Sequence, residues 1–238
     1  MPQAAGAGAA AIAIAPGVKL FQTAVAKPDA EAVTNAQRWG LLIDTNRCEQ
    51  GCTDCVDACQ AENGWGTGST DEAHSRPDQK AQWIRKVDVR DPATERSFSL
   101  PVMCQHCENP PCQDVCPTGA SFKRADGIVL VDRHICIGCR YCMMACPYKA
   151  RSFVHETLSD QRAHAPRGKG CVESCTLCAH RVDRDQLPAC VESCTHGAML
   201  FGDLNDASSE ISQKLKQVAS RQLREDLRLN TGVRYTGI

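Results

Sequence analysis

Large aromatic side chains are scarce in this sequence, at 5% of 238 residues, and the apolar fraction reaches 42% only with Ala, Val and Cys included. A core with so few large side chains needs another source of cohesion. Charge of one sign is not in excess either: 27 basic residues face 28 acidic ones, for a formal net charge of −1. That balance gives no support to a nucleic-acid partner or to direct binding of an anionic membrane, both of which call for a basic surplus. No apolar run approaches the 18 or so residues of a transmembrane helix, so membrane association would run through a partner and not through a span of this chain. A nucleophilic triad, a phosphate loop and a nucleotide fingerprint are all missing. Gly64-Trp-Gly-Thr-Gly68 lacks the preceding strand and following helix that a dinucleotide loop needs, and reads as a flexible loop. No Cys-x-x-Cys-His run is present to attach a c-type haem.

Cysteine is what the chain has in abundance: seventeen residues, about 7% of the sequence. Such a count is compatible with a disulfide framework, with zinc or with iron–sulfur clusters. The spacing decides among them. Sixteen cysteines fall into four groups: Cys48, Cys52, Cys55 and Cys59; Cys104, Cys107, Cys112 and Cys116; Cys136, Cys139, Cys142 and Cys146; and Cys175, Cys178, Cys190 and Cys194. The third group, followed by Pro147, matches the bacterial ferredoxin run C-x2-C-x2-C-x3-C-P, in which three thiolates wrap one cubane and the fourth ligates another. Groups of this kind work in pairs, and an even number is present. Zinc sites separate two ligand pairs by a dozen or more residues, whereas the third group packs four cysteines into eleven residues. Seventeen cysteines cannot all pair as disulfides, and neighbours this close have few unstrained partners.

The other groups are variants of the same pattern. Gly51 widens the first and can adopt the positive φ of a bulged loop, Pro110-Pro111 widens the second, and an insertion through Leu187-Pro188 widens the fourth. Such changes remodel the loop over a cluster, hence its solvent access and sulfur hydrogen bonding. His106, His180 and His196 stand near cluster cysteines and are expected to hydrogen-bond rather than ligate. Cys171 is left over and reads as a free thiol, with ligation beside Cys175 as the alternative. Trp65, Trp83, Met143 and Met144 are expected to pack.

The fold expected is α+β. Arg38 to Asp44 reads as a strand entering the first group. Asp126-Gly127 between two β-prone runs reads as a hairpin, and short helices are expected after each last cysteine, with Pro117 and Pro147 near their starts. Residues 63–80 read as a surface excursion. Apolar positions Ile211, Leu215, Val218, Leu223 and Leu227 predict a helix from Ser208 to about Arg228, capped by Ser208 or Asp206. At the N-terminus, residues 4–15 have the length and small-residue character of a signal h-region, and Ala24-Val25-Ala26 resembles a signal-peptidase site. A disordered Ala/Gly tail is the alternative. The reading preferred is export to the periplasm, through a twin-arginine signal whose front is missing, because clusters are assembled before the chain crosses the membrane, with a cytoplasmic location as the alternative.

The blocks Cys104-Gln-His-Cys-Glu-Asn-Pro-Pro-Cys112, Cys116-Pro-Thr-Gly-Ala-Ser-Phe-Lys123, Cys136-Ile-Gly-Cys-Arg-Tyr-Cys-Met-Met-Ala-Cys-Pro147 and Pro188-Ala-Cys-Val-Glu-Ser-Cys194 resemble the four-cluster iron–sulfur subunits of the dimethyl sulfoxide reductase family, from Arg38 to about Tyr235. The resemblance implies two intertwined ferredoxin-like modules carrying four [4Fe–4S] clusters. Their ligands would be Cys48, Cys52, Cys55 and Cys194; Cys175, Cys178, Cys190 and Cys59; Cys104, Cys107, Cys112 and Cys146; and Cys136, Cys139, Cys142 and Cys116. It divides the chain into an export remnant and linker (1–37), a first-group segment (38–103), a central module (104–160), a fourth-group segment (161–207) and a C-terminal helix and tail (208–238). The widened first group and the expected signal are similar to the periplasmic branch that accompanies dissimilatory sulfite reductase. That branch implies an integral-membrane quinone-interacting partner, a multihaem cytochrome c neighbour, and one-electron relay without catalysis by this chain. Tetrathionate-, polysulfide- and nitrite-reductase subunits are the alternative, and a colourless zinc- or disulfide-stabilised binding module is the alternative of another class.

Overall fold

The computed structural model describes residues 32–66, 79–159 and 161–238. The export segment and most of the 63–80 excursion lie outside these residues. Among those described, no helix is long and apolar enough to cross a membrane.

β1 (Trp39–Asp44) is the central strand of a three-stranded sheet, antiparallel to β8 (Met199–Asp203) and parallel to β9 (Val233–Thr236). Leu41, Leu42 and Ile43 are buried in succession, as expected for a strand covered on both faces. Trp39 stacks on Phe201 across the pair, with ring centroids 5.1 Å apart. Gly40 is required for closeness: a Cβ there would lie 2.7 Å from the Gly232 carbonyl oxygen. The other strands form three hairpins: β2 (Ile84–Arg90) with β3 (Ser97–Met103), β4 (Ser121–Lys123) with β5 (Val129–Val131), and β6 (Arg151–Phe153) with β7 (Val172–Ser174). Tyr235 ties β9 to this framework, its buried hydroxyl donating to the Pro101 carbonyl at 3.0 Å and accepting from Gln105 at 3.1 Å.

The helices are short: α1 (Asp54–Asn63), α2 (Pro111–Asp114), α3 (Tyr141–Ala145), α4 (Ala179–Val182), α5 (Ala189–Glu192) and α6 (Glu210–Gln217). Asp54 and Asp57 complement the positive end of α1, and Gly64, at φ 69°, closes it in the left-handed conformation.

The strand at 38–44 and the hairpin at 121–131 form as expected, although the hairpin turn takes five residues. The helices correct the expectation. α2, α3 and α5 contain the third cysteine of their groups and end before the fourth. Pro147 disfavours helical backbone at the residue before it, and Cys146 is extended at φ −74°, ψ 112°. Pro147 therefore ends α3 rather than starting a helix, whereas α2 opens on Pro111 and α5 directly after Pro188. The C-terminal helix is also shorter than its apolar spacing suggests. It ends at Gln217, and the chain then turns back so that Arg221 and Tyr235 exchange backbone hydrogen bonds of 2.7 and 2.8 Å. Its cap is Ser209, whose Oγ accepts from the Ser212 amide.

Candidate iron–sulfur centres

Each cysteine group begins in a loop leaving a strand and finishes on or beside a short helix. In all four, the residue immediately before the second cysteine has positive φ: Gly51 at 82°, His106 at 44°, Gly138 at 70° and Leu177 at 53°. This left-handed step turns the loop so that successive thiols face one space. Gly138 is further constrained, since a Cβ there would lie 2.2 Å from the Gly170 carbonyl oxygen. His106 and Leu177 accept the same step without glycine, at a cost of order 1–2 kcal/mol each.

Thiols from different groups converge. One cavity has Cys48, Cys52, Cys55 and Cys194 in its wall, a second Cys59, Cys175, Cys178 and Cys190, and a third Cys116, Cys136, Cys139 and Cys142. A further quartet forms where the charges of Cys112 and Cys146 act on both Cys104 and Cys107. No disulfide joins any of the seventeen cysteines.

The polar groups around the thiols suit negatively charged sulfur. Backbone amides donate to Cys116 from Ser121 at 3.3 Å, to Cys175 from Leu177 at 3.3 Å and to Cys194 from Ala198 at 3.2 Å. Side chains add the Trp65 indole on Cys59 at 3.2 Å, Lys86 on Cys48 at 3.2 Å and Arg151 on Cys112 at 3.1 Å. Of the buried donor atoms without a partner among the described residues, three stand near the thiols: Trp83 Nε1, which belongs to a residue lining the second cavity, Tyr148 Oη beside Cys107, and one Arg151 Nη. An anionic sulfur cluster would supply the missing acceptors. Burial drives the thiols of Cys55, Cys59, Cys104 and Cys107 up to about 12, so bound iron would have to displace their protons.

Sequence reasoning missed three of these donors. Trp65 is more than a packing residue, and Lys86 and Arg151 carry no local motif. Among the residues expected to pack, Met144 is instead 75% exposed. Buried His106 accepts from the Val129 amide through Nδ1 at 3.0 Å, and desolvation lowers its pKa to about 3. His196 pairs with Glu49 at 3.2 Å. Cys171 donates to the Arg133 carbonyl at 3.3 Å and lies near Cys136, away from Cys175.

Glu62, His164 and His180 bring three possible metal ligands within 4.8 Å of one another. The Arg181 guanidinium already neutralises Glu62 at 3.1 Å, His180 bonds its other oxygen at 2.7 Å, and the two imidazoles stack at 3.9 Å. These contacts form an ion-pair network joining α1 to α4.

The 4Fe-4S dicluster domain family matches twice, over residues 96–204 and 47–120, which gives four [4Fe–4S] clusters. The chain is 38% identical to an Hdr-like menaquinol oxidoreductase iron-sulfur subunit of Archaeoglobus fulgidus, over 97% of this chain and 94% of that one. It is 38% identical to a tetrathionate reductase subunit of Salmonella typhimurium, over 84% of this chain and 74% of that one. Against a sulfite dehydrogenase subunit of Allochromatium vinosum it is 39% identical, over 77% and 76%. Matches of this length and identity place the chain in one family: it belongs to the [4Fe–4S] dicluster iron–sulfur subunits and is an electron-transfer subunit of an oxidoreductase.

Proposed function

We propose that the sixteen cysteines of the four quartets hold the clusters, in the cross-group sets that surround each cavity, and that the sets form one relay. The observation that carries this is their unbroken succession. Cys55 of the first quartet and Cys59 of the second stand one turn apart on α1. Met103, beside Cys104 of the third, lines the second cavity, and Arg151 bonds both Cys112 of the third and Ser121, which lines the cavity of the fourth. Each [4Fe–4S] cluster supplies reversible one-electron chemistry with little change of shape. The polypeptide fixes the spacing, excludes water from the inner thiols and sets the surrounding charge. In this reading the first and fourth cysteine groups form one ferredoxin-like module, and the second and third form another intertwined with it.

The far end of the succession offers a docking face. Of eight large hydrophobic side chains exposed among the described residues, six lie within six residues of a fourth-quartet cysteine in sequence: Val115, Phe122, Ile135, Ile137, Tyr141 and Met144. Cys139 is itself exposed. We assign this face to an integral-membrane, quinone-interacting partner, a reading supported by the menaquinol in the name of the Archaeoglobus relative, which aligns along nearly the whole chain. A periplasmic location and a multihaem cytochrome c at the other end complete the proposal.

Reductive titration of the anaerobic protein tests the relay. Uptake of about four electrons per chain, one per cluster, is expected, and uptake of none would refute it. Ile137→Glu with Met144→Glu should abolish membrane recovery of the complex without loss of iron. Undiminished recovery would remove the assigned face.

A further inference from the structure

Two arginines are buried among the described residues, and they differ in what balances their charge. Arg167 has an ordinary partner: Glu173 accepts three hydrogen bonds from it, at 2.7, 2.9 and 3.2 Å. Removing an ion from water is costly unless an opposite charge compensates. Arg151, only 5% exposed, forms no salt bridge with any described carboxylate. One Nη donates to Cys112 Sγ at 3.1 Å and to Ser121 Oγ at 2.8 Å, and the other is buried without a partner. The charges that act most on it are those of Cys112, Cys104 and Cys142.

These neighbours belong to two different quartets. Cys104 and Cys112 are in the third, and Cys142 is in the fourth, whose cavity Ser121 also lines. Arg151 opens β6, which pairs with β7, and it stands between the two sites. We infer that Arg151 is the shared counter-ion of the third and fourth clusters and the positioning residue that keeps both easy to reduce. This rests on the ligand sets proposed above.

The physical basis is direct. Reduction adds one negative charge to a cluster, and a fixed guanidinium in a low-dielectric interior stabilises that added charge. Arginine stays protonated at any working pH, so the effect needs no proton transfer. The other two quartets lack this device: Lys86 serves the first, and the side-chain donors Trp65 and Asn63 on Cys59 of the second are neutral.

The test is potentiometric titration, followed by electron paramagnetic resonance, of the full chain and of Arg151→Met, Arg151→Gln and Arg151→Lys, with iron and sulfide counted on each preparation. Two of the four couples should move to more negative potential in the neutral variants, by at least tenfold in the reduction equilibrium, about 59 mV for a one-electron couple. Arg151→Lys, which keeps the charge, should recover most of that shift. Four unchanged couples in a fully loaded variant would overturn the inference. So would four couples moving together, or a lysine variant displaced as far as the methionine one. Wild-type protein without iron would instead refute the ligand assignment itself.

Discussion

Cys55 and Cys59 stand one turn apart on α1, yet each faces a different cavity, Cys55 with Cys48, Cys52 and Cys194, and Cys59 with Cys175, Cys178 and Cys190. Side chains at i and i+4 lie one above the other on a helix, so one rigid turn fixes the distance between two redox sites. It also binds the first cysteine group to the fourth, more than a hundred residues later.

That arrangement predicts which double substitutions add. Cys59→Ser and Cys175→Ser each damage one site, so their combination should cost no more iron than either alone, leaving about twelve atoms per chain. Cys55→Ser with Cys59→Ser damages two sites and should leave about eight. Iron analysis of the purified variants decides it; equal losses from both double variants would break the cross-group assignment.

Single sulfur donors should each govern one couple. Trp65→Phe keeps most of the buried ring but removes the indole N–H from Cys59. Lys86→Met removes the ammonium from Cys48. Loss of about 1 kcal/mol of preference for the reduced state is expected for each, a few tens of millivolts for one electron. Redox-poised spectra should show one displaced couple in each variant, and a different one.

The left-handed steps differ in how much they tolerate. Gly51→Ala meets nothing within 4 Å and bears only the conformational cost of its φ of 82°, about 1–2 kcal/mol. Gly138→Ala adds a 2.2 Å approach to the Gly170 carbonyl oxygen, which only a backbone shift relieves. Thermal unfolding should show a small loss for the first, and for the second a larger one accompanied by loss of iron.

Acid should weaken the join between α1 and α4. Burial pulls Glu62 upward, but hydrogen bonds and charge from His180 and Arg181 outweigh it and hold its pKa below the usual 4.5. Burial holds His180 below 6.5, with Glu62 opposing. Both folded-state values are depressed, so both contributions are present at neutral pH. The His180 contribution is lost as pH falls below about 6.5, and that of Glu62 as pH falls further, from about 4.5 through its lower folded value. The apparent unfolding midpoint should therefore drop across this range, and Glu62→Gln should flatten the acidic part of the slope. An unchanged slope would show that this network does not set acid stability.

Cluster chemistry and strand β1 were legible in the sequence because each is written in neighbouring residues. Thiol spacing reports a local loop, and Leu41-Leu42-Ile43 a buried strand. Arg151, Lys86 and Trp65 were not legible as sulfur donors, because their contacts depend on where distant segments meet: Lys86 lies 38 residues from Cys48 along the chain. Glycine marked the left-handed step at Gly51 and gave no sign of it at His106 and Leu177. The C-terminal helix was over-read for a related reason. Leu223 and Leu227 continue a helical spacing, but backbone pairing of Arg221 with Tyr235 takes the chain out of the helix, and tertiary contacts override local pattern.

The most direct test of the central claim is iron and acid-labile sulfide per chain on anaerobically purified full-length protein. Four cubanes require about sixteen of each. Zinc without sulfide, or iron with no labile sulfide, would contradict the account and make these quartets structural metal sites.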